Sequence, residues 1–246
     1  MGDIAQTEDQ TVNLFVYAAT QTPIERIEVF NADKLVYTMR GYSPEDLGNR
    51  ILEAAVALTA SIGYSGAGTV EFLVDKERDE FYFMEVNTRI QVEHPVSEEI
   101  SGIDLIKEQI QVGFGAPLSF CQEDVVFKGH AIECRITAED PRDDFFPSPG
   151  CIENFVAPSG DNIRVDTHCY TGYEVSPYYD SMIAKLITTG DTREEAIANM
   201  SAALDNFLIE GIETNIPFQK FLIEQPEFLA GDIDIKWIEN TVLAKF

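Results

Sequence analysis

The feature that most restricts the possible folds is a pair of strand-like segments joined by a short charged turn. Residues 68–75 read GTVEFLVD and residues 80–87 read EFYFMEVN, with KERD between them. Two strand-forming runs on either side of so short a turn predict an antiparallel hairpin. A hairpin fixes which residues face each other, so its register can be used to search for a site.

The hairpin brings two glutamates together if its turn is centred on Arg78. Residues whose numbers mirror about that point face each other, so Glu71 lies opposite Glu85, and strand alternation places Asn87 on the same face. Like charges directly opposite each other destabilise a sheet, and a divalent cation between them reverses that effect. Two carboxylates and an amide oxygen suit magnesium bound together with a substrate phosphate. The alternative is a pair of solvated glutamates with salt contacts to nearby Arg or Lys.

A polar run follows the second strand of the hairpin. FMEVNTRIQVEHP places Arg89, Gln91 and Glu93 beyond the strand end, where loops on a rigid scaffold often carry function. A guanidinium offers a planar fork to a small planar oxyanion, and a neighbouring carboxylate can act as a general base. The alternative is an Arg89–Glu93 surface ion pair worth less than about 1 kcal/mol. We expect His94 to pack in a turn rather than to bind a metal.

A second polar cluster lies in HAIECRITAEDP. Alternation places Glu133 and Arg135 on one face, where they either pair with each other or direct Arg135 to the same site as Arg89. Cys134, between them, is predicted to be a small buried side chain. The segment PYYDSMIAKLI places further polar residues at the start of a buried strand. Packing and turn hydrogen bonds are the roles expected for Tyr178, Tyr179, Asp180 and Lys185.

Capping residues and strand-like runs together predict an α+β architecture. Each predicted helix start has a Ser or Thr followed three residues later by an acidic residue: Ser43 with Asp46, Ser101 with Asp104, and Thr192 with Glu195. Gly63 is predicted to end the first helix, the third runs through REEAIANMSAALDNFLI, and short helices broken at Pro226 form the tail. Strands are predicted at TVNLFVYA, ERIEVFN and KLVYTMR, and in a β-rich stretch from about Val125 to Ile187.

Composition argues against several classes of partner. Asp and Glu number 43 against 17 Lys and Arg, which gives a formal net charge of -26. A surface this acidic repels phosphate backbones and anionic lipids, so we expect neither nucleic acid nor membrane as a partner. The first residues lack the basic and apolar regions of a signal peptide, and the four cysteines show no CxxC spacing. We therefore expect reduced thiols and a location in the cytoplasm or an organelle stroma.

Several long motifs together resemble a known family. GTVEFL, FYFMEVNTRIQVEHPV, GHAIECRITAEDP, PSPG and GYEVSPYYDSMIAKLI occur in this order. They resemble the C-terminal half of biotin carboxylase, an ATP-grasp ligase component of the acetyl-CoA carboxylase of fatty acid biosynthesis. The resemblance implies a partial ATP-grasp subdomain, an antiparallel sheet with helices, at residues 43–124. It also implies the β-rich and helical C-terminal domain of biotin carboxylase at 125–246, with divergent strands or a hairpin at 1–42.

The resemblance also implies roles for the site residues. The family makes carboxyphosphate from ATP and bicarbonate, then passes the carboxyl group to biotin N1′ on a carrier protein. The positions that match the residues holding Mg²⁺ or Mn²⁺ with the ATP phosphates are Glu71, Glu85 and Asn87. Those that match the bicarbonate-binding residues are Arg89, Gln91 and Val92. Glu93 matches the base that deprotonates bicarbonate, and Arg135 matches the residue that stabilises the biotin enolate.

Parts of the family pattern have no counterpart in these residues. They contain no glycine-rich ATP lid, no GxxxxGK motif and no adenine-binding hinge. We therefore expect the chain to be inactive alone, and to need the missing N-terminal half or other carboxylase subunits as well as a biotin carboxyl carrier protein. Self-association as a homodimer is also expected. Two alternatives stay open: a non-catalytic remnant that binds a partner carboxylase subunit, and a module that binds a metal or small anion without ATP turnover.

Overall fold

The computed structural model describes residues 28–31, 34–38, 44–75, 80–233 and 236–246. The chain divides into two compact units. The first comprises Met1–His94 and Ile103–Val125, and the second comprises Pro95–Gly102 and Val126–Phe246. The predicted domain boundaries at residues 42 and 124 stay predictions, and the strand predicted at TVNLFVYA and the Ser43 cap lie outside the described residues.

The first seven elements are two strand pairs and three helices. In chain order they are β1 (Glu28–Asn31), β2 (Lys34–Thr38), α1 (Pro44–Ser61), β3 (Thr69–Asp75), β4 (Glu80–Asn87), α2 (His94–Ser101) and α3 (Leu105–Gly113). The strands β1 and β2 pair antiparallel, and so do β3 and β4. The predicted β3–β4 hairpin is therefore confirmed.

Helix α1 packs on the hairpin through its apolar stripe. Ile51 and Ala54 contact Phe81, and Ala55 packs against Val70, so these side chains leave water together. The helix ends as predicted at Gly63, whose φ of 63° suits glycine. The N–H of Gly63 donates to the Ala60 carbonyl and that of Tyr64 to the Thr59 carbonyl, which is a Schellman closure.

The second unit is built on a three-stranded antiparallel sheet. Its elements after α3 are β5 (His130–Thr137), β6 (Glu139–Asp140), β7 (Phe146–Pro147), β8 (Gly150–Cys151), β9 (Asn154–Val156), β10 (Ile163–Thr167), β11 (Glu174–Val175), β12 (Met182–Gly190), α4 (Arg193–Asp205), β13 (Leu208–Glu210), α5 (Ile216–Ile223) and α6 (Pro226–Ala230). The sheet order is β10-β12-β5. Side chains of β5, β12 and α4, among them Ile136, Leu186 and Met200, are fully buried in one core. The predicted β-rich stretch is confirmed.

Two predicted helix boundaries are wrong. Ser101 does not cap the second helix but ends α2, because Gly102 follows with a φ of 72°. Asp104 is the cap of α3, and its carboxylate accepts from the Lys107 N–H at 2.8 Å. The helix after Thr192 ends at Asp205, since the predicted helical residues 208–209 instead pair in β13 with β9.

The prediction that Cys134 is a small buried side chain is confirmed. All four cysteines are free thiols. Cys134 is buried in the main core, and this burial, together with the charge of Glu133, raises the pKa of its thiol to about 12.

In the part of the chain that the structure describes, every helix is too short or too polar to cross a bilayer.

Candidate functional site

Two carboxylates face each other across the hairpin. Glu71 of β3 is paired with Glu85 of β4, as predicted. The side-chain amide of Asn87 lies beside both, and its Nδ2 donates to Glu71 Oε1 at 2.9 Å and to Glu85 Oε1 at 3.1 Å. The three side chains therefore share one face, and a single neutral amide bridges the two negative charges.

A β-bulge separates this pair from the rest of the hairpin. Glu71 pairs with Glu85, but the next residue of β3, Phe72, pairs with Phe83, which leaves Met84 as an extra residue. The mirror relation about residue 78 therefore holds only at the end of the hairpin that carries the glutamates. Bulges occur next to functional sites, where they redirect a side chain.

The loop after β4 folds back onto the acidic pair. We call residues 88–93 the anion loop. Arg89 is exposed, its Nη2 donates to the Asn87 Oδ1 at 3.3 Å, and its Nη1 donates to the Ile90 carbonyl at 3.2 Å. Gln91 Nε2 donates to Glu71 Oε1 at 3.3 Å. The structure therefore places the predicted anion ligands beside the predicted metal ligands.

The last residues of the anion loop lead directly into helix α2. Val92 and Glu93 are half-buried. His94, the first helical residue, contacts the Gln91 carbonyl through its ring Nδ1 at 2.7 Å and donates its backbone N–H to the same oxygen at 3.3 Å. His94 thus closes the turn that begins at Gln91 and starts α2, and its predicted role as a packing residue rather than a metal ligand stays a prediction.

The donor set fits a hard cation. Within the described residues, no cluster of three or more His, Cys, Asp or Glu side chains is placed to hold a metal, and the set here consists of two carboxylates and one amide. Magnesium is commonly held by one or two carboxylates with substrate phosphates and waters completing its shell. Asn87 would present its Oδ1 to a cation by turning over the amide, since the Nδ2 faces both glutamates at present.

Arg135 lies on β5 in the second unit and is exposed. It is paired across the sheet with Lys185 of β12. Its backbone carbonyl accepts from Asn215 Nδ2 at 2.9 Å and from Gln219 Nε2 at 3.2 Å, which fixes the strand that carries it. The prediction that Arg135 and Arg89 serve one site concerns residues of both units and stays a prediction.

The packing role predicted for two tyrosines is wrong. Tyr178 and Tyr179 are 90% and 84% exposed, because they lie in the loop that precedes β12, which begins only at Met182. The turn hydrogen bond predicted for this segment is present: Asp180 Oδ1 accepts from the Met182 N–H at 2.9 Å.

Sequence reasoning missed Arg164, which joins β10 to α2. Its Nη1 donates to Glu98 at 2.8 Å and to Glu99 at 3.1 Å. Its Nε and Nη2 form a two-pronged contact with Asp166, at 2.8 and 3.0 Å. Hydrogen bonding to Asp166 raises the pKa of Arg164, and the two glutamates act in the same direction. Alternation in IRVDT could have placed Arg164 and Asp166 on one face, but nothing in the local sequence indicates α2 as the partner.

Two protein-family models match the chain. One is described as "Biotin carboxylase C-terminal domain" and matches residues 133–240. The other is described as "Carbamoyl-phosphate synthase L chain, ATP binding domain" and matches residues 43–121. Biotin carboxylase 1 of Bacillus subtilis is 57% identical over 188 residues, which cover 76% of this chain and 42% of the relative. The chain is similar to biotin carboxylases over 76% of its length. It spans less than half the length of this relative.

Other biotin carboxylase matches extend to a plant and to a solved structure. Biotin carboxylase 1, chloroplastic, of Populus trichocarpa is 52% identical over 186 residues, covering 76% of this chain and 35% of the relative. The biotin carboxylase domain dimer of the Hydrogenobacter thermophilus 2-oxoglutarate carboxylase, in complex with MgADP, ADP and bicarbonate, superposes with a TM-score of 0.76 at 43% identity. That match covers 80% of this chain and 43% of the neighbour. The predicted α+β class with a partial ATP-grasp subdomain is confirmed.

Proposed function

We propose that these residues form the C-terminal half of a biotin carboxylase, an enzyme that carboxylates biotin with bicarbonate and Mg-ATP. The observation that carries the proposal is the hairpin end. There Asn87 bridges Glu71 and Glu85, Arg89 donates to Asn87, and Gln91 donates to Glu71. The side chains suited to a hard cation therefore lie next to those suited to a planar anion. The solved neighbour from H. thermophilus contains MgADP and bicarbonate, the two ligand types that such a pair of sets would bind.

Glu71, Glu85 and Asn87 would hold Mg²⁺ or Mn²⁺. When bound, the cation neutralises the phosphate charge of ATP. The side chains already lie together on one face of two paired strands, so little conformational entropy is lost when ligands bind. Because the Asn87 Oδ1 now accepts from Arg89, turning the amide toward a cation would release that guanidinium N–H for an anion. We therefore expect bicarbonate to bind more tightly when the cation is present.

Arg89 and Gln91 would hold bicarbonate, with Val92 at the same loop. The guanidinium fork matches two oxygens of a planar anion, and the Gln91 amide offers a further N–H. Glu93 would take the bicarbonate proton. A bicarbonate oxygen then bonds to the γ-phosphorus of ATP as the bond to ADP breaks, which gives carboxyphosphate.

Biotin carried on a carrier protein would be the acceptor. The bond between the carboxyl carbon and phosphate in carboxyphosphate would break, the departing phosphate would take the N1′ proton, and N1′ would bond to the carboxyl carbon. Arg135 would stabilise the negative oxygen of the biotin enolate. The carrier protein and the remainder of the carboxylase are the partners we propose, together with a second copy of the chain, since the H. thermophilus domain is described as a dimer. We propose the cytoplasm or an organelle stroma as the location, in line with bacterial and chloroplastic relatives.

The test compares the 246-residue chain with a chimera. The chimera joins residues 43–246 to the part of the B. subtilis relative that lies outside the match. We expect no bicarbonate-dependent ATP hydrolysis from the chain alone, because the matched residues span only 42% of that relative. We expect activity from the chimera, lost in Glu93→Gln and kept in the control Glu123→Gln, an exposed glutamate of the same unit.

Two results would contradict the proposal. Bicarbonate-dependent turnover by the chain alone, removed by Glu93→Gln, would show that the chain needs no completion. A folded chimera that binds ATP but leaves biotin uncarboxylated would contradict the assigned reaction.

A further inference from the structure

Helix α2 continues directly from the anion loop. Its first residue, His94, follows Glu93 by one peptide bond, and both its ring and its backbone N–H contact the Gln91 carbonyl. Gln91 in turn donates to Glu71. A rotation of α2 would therefore displace Gln91 from the acidic pair and shift the backbone that carries Glu93.

Helix α2 is too short to be stable without tertiary contacts. It has 8 residues, and isolated helices shorter than about 12–15 residues are marginal in water. Its first turn has no acidic residue and its last turn has no basic residue, so its ends are not matched to the helix dipole. Its stability must come from tertiary contacts, and two of its residues, Pro95 and Glu98, are buried.

Arg164 supplies such a contact from a rigid support. It reaches both Glu98 and Glu99 through Nη1. The rest of its guanidinium is fixed on Asp166 of the same strand, and Asp166 also pairs with Lys185 of the neighbouring strand at 3.6 Å. The Glu98 side chain is only 8% exposed, and a buried carboxylate is costly unless it is paired. Arg164 is therefore fixed to the sheet by Asp166 and binds helix α2 through Glu98.

We propose that Arg164 is a positioning residue for the anion loop: by fixing α2 through Glu98, it sets the position of Gln91 and Glu93. The link to bicarbonate rests on the proposed function, whereas the link to loop order does not. A lysine in place of Arg164 would keep the charge but lose the fork that serves α2 and Asp166 together.

Hydrogen exchange on the 246-residue chain tests the positioning role directly. In Arg164→Gln we expect amides of α2 and of the anion loop to exchange about tenfold faster or more, while those of β3 and β4 keep their rates. Arg142→Gln, an exposed arginine of the same unit, is the control and should match the wild type. If α2 exchanges faster but the anion loop does not, Arg164 only stabilises the helix and the proposal is overturned.

Ligand binding provides a second measurement. Mn²⁺ and ¹³C-labelled bicarbonate are added to the chain, and Mn²⁺ affinity is measured together with the Mn²⁺-induced relaxation of the bicarbonate carbon. We expect Arg164→Gln to keep the Mn²⁺ affinity and to weaken bicarbonate binding about tenfold. Unchanged bicarbonate relaxation in a variant that binds Mn²⁺ would overturn the proposal.

The two ideas can fail separately. If the wild-type chain binds neither probe, the proposed function loses its support, while hydrogen exchange still decides whether Arg164 orders the loop. Should Arg164→Gln fail to fold, Glu99→Gln removes only the exposed partner and gives a milder form of the same comparison. In that variant the expected result is faster exchange in α2 and the anion loop, and wild-type rates in both would count against the proposal.

Discussion

Like charges face each other across a strand pair in both units, but their surroundings differ. In the first unit Glu71 lies opposite Glu85, and the neighbouring side chain that bridges them is the neutral amide of Asn87. The amide satisfies two oxygens by hydrogen bonding without cancelling either charge. This hairpin end therefore stays negative and can take up a cation.

In the second unit the corresponding pair is positive and has a counter-charge. Arg135 lies opposite Lys185 on the three-stranded sheet, and Asp166 from the next strand pairs with Lys185. Asp166 is also bound by Arg164, which extends the network to helix α2. Asp166 thus supplies a counter-charge to Lys185 in the second unit, whereas the two glutamates of the first unit are bridged by a neutral amide. The acidic pair of the first unit is therefore the candidate cation site.

We expect the largest change in unfolding free energy when the ion pairs of Arg164 with Asp166 and Glu98 are removed. Arg164→Gln leaves the buried carboxylate of Glu98 without its arginine, and breaking such a pair typically costs about 3–5 kcal/mol of unfolding free energy. Arg164 is 32% exposed, so we expect a lower figure of about 2–4 kcal/mol. Urea unfolding measures it, with Arg142→Gln as control. If the unfolding free energy falls by less than about 1 kcal/mol, the value of an exposed pair, the ion pairs of Arg164 do not stabilise the second unit.

Acid should weaken the second unit through Asp166. Burial acts to raise the pKa of this carboxyl, but Arg164 and Lys185 outweigh it and hold the pKa below the usual value. Because the folded pKa is the lower one, the stabilisation is present above the unfolded pKa near about 4 and is lost as the pH falls through the folded pKa. We expect Asp166→Asn to flatten the fall in unfolding free energy below pH 4. A variant as acid-sensitive as the wild type would show that this pair contributes little.

A third negative charge beside Glu71 and Glu85 should destabilise the metal-free hairpin and strengthen cation binding. Asn87→Asp replaces the bridging amide with a third carboxylate and removes both hydrogen bonds from Nδ2. We expect the metal-free chain to lose about 1–2 kcal/mol and to bind Mn²⁺ more tightly. Calorimetric titration beside thermal unfolding, with and without Mn²⁺, checks both signs. Weaker Mn²⁺ binding by a folded variant would argue against a metal role for position 87.

Removing one negative charge from the first unit should change the unfolding free energy least. Unlike the other substitutions, it should stabilise the metal-free chain. Glu85→Gln ends the repulsion with Glu71, so we expect the metal-free chain to gain about 0.5 kcal/mol. Glu123→Gln serves as the control for the general effect of lowering the negative charge of the chain. If Glu85→Gln destabilises the chain while the control does not, the pair is not repulsive in the folded state.

Local chemistry in the sequence was sufficient to predict much of this arrangement. A short charged turn specified the register that places Glu71 opposite Glu85, and a glycine with positive φ ended α1 where expected. The alternating pattern around Cys134 likewise predicted a buried thiol. In these cases the deciding interaction lies within a few residues or across one hairpin.

What could not be predicted depends on contacts between distant segments. Helix α2 is short and polar, and its partner Arg164 is 66 residues from Glu98, so no local pattern marks the helix or its attachment. The bulge at Met84 has no glycine or proline to signal it. Tyr178 and Tyr179 carry an apolar signature that predicts burial, yet they precede the strand and stay exposed.

Mn²⁺ titration of the 246-residue chain determines whether the bridged pair Glu71 and Glu85 is a cation site. Wild type, Glu85→Gln and Asp166→Asn would be compared by electron paramagnetic resonance at matched ionic strength. We expect one bound Mn²⁺ per chain in the wild type and in Asp166→Asn, and no bound Mn²⁺ in Glu85→Gln. Equal Mn²⁺ binding by the wild type and Glu85→Gln, or none by the wild type, would contradict this expectation.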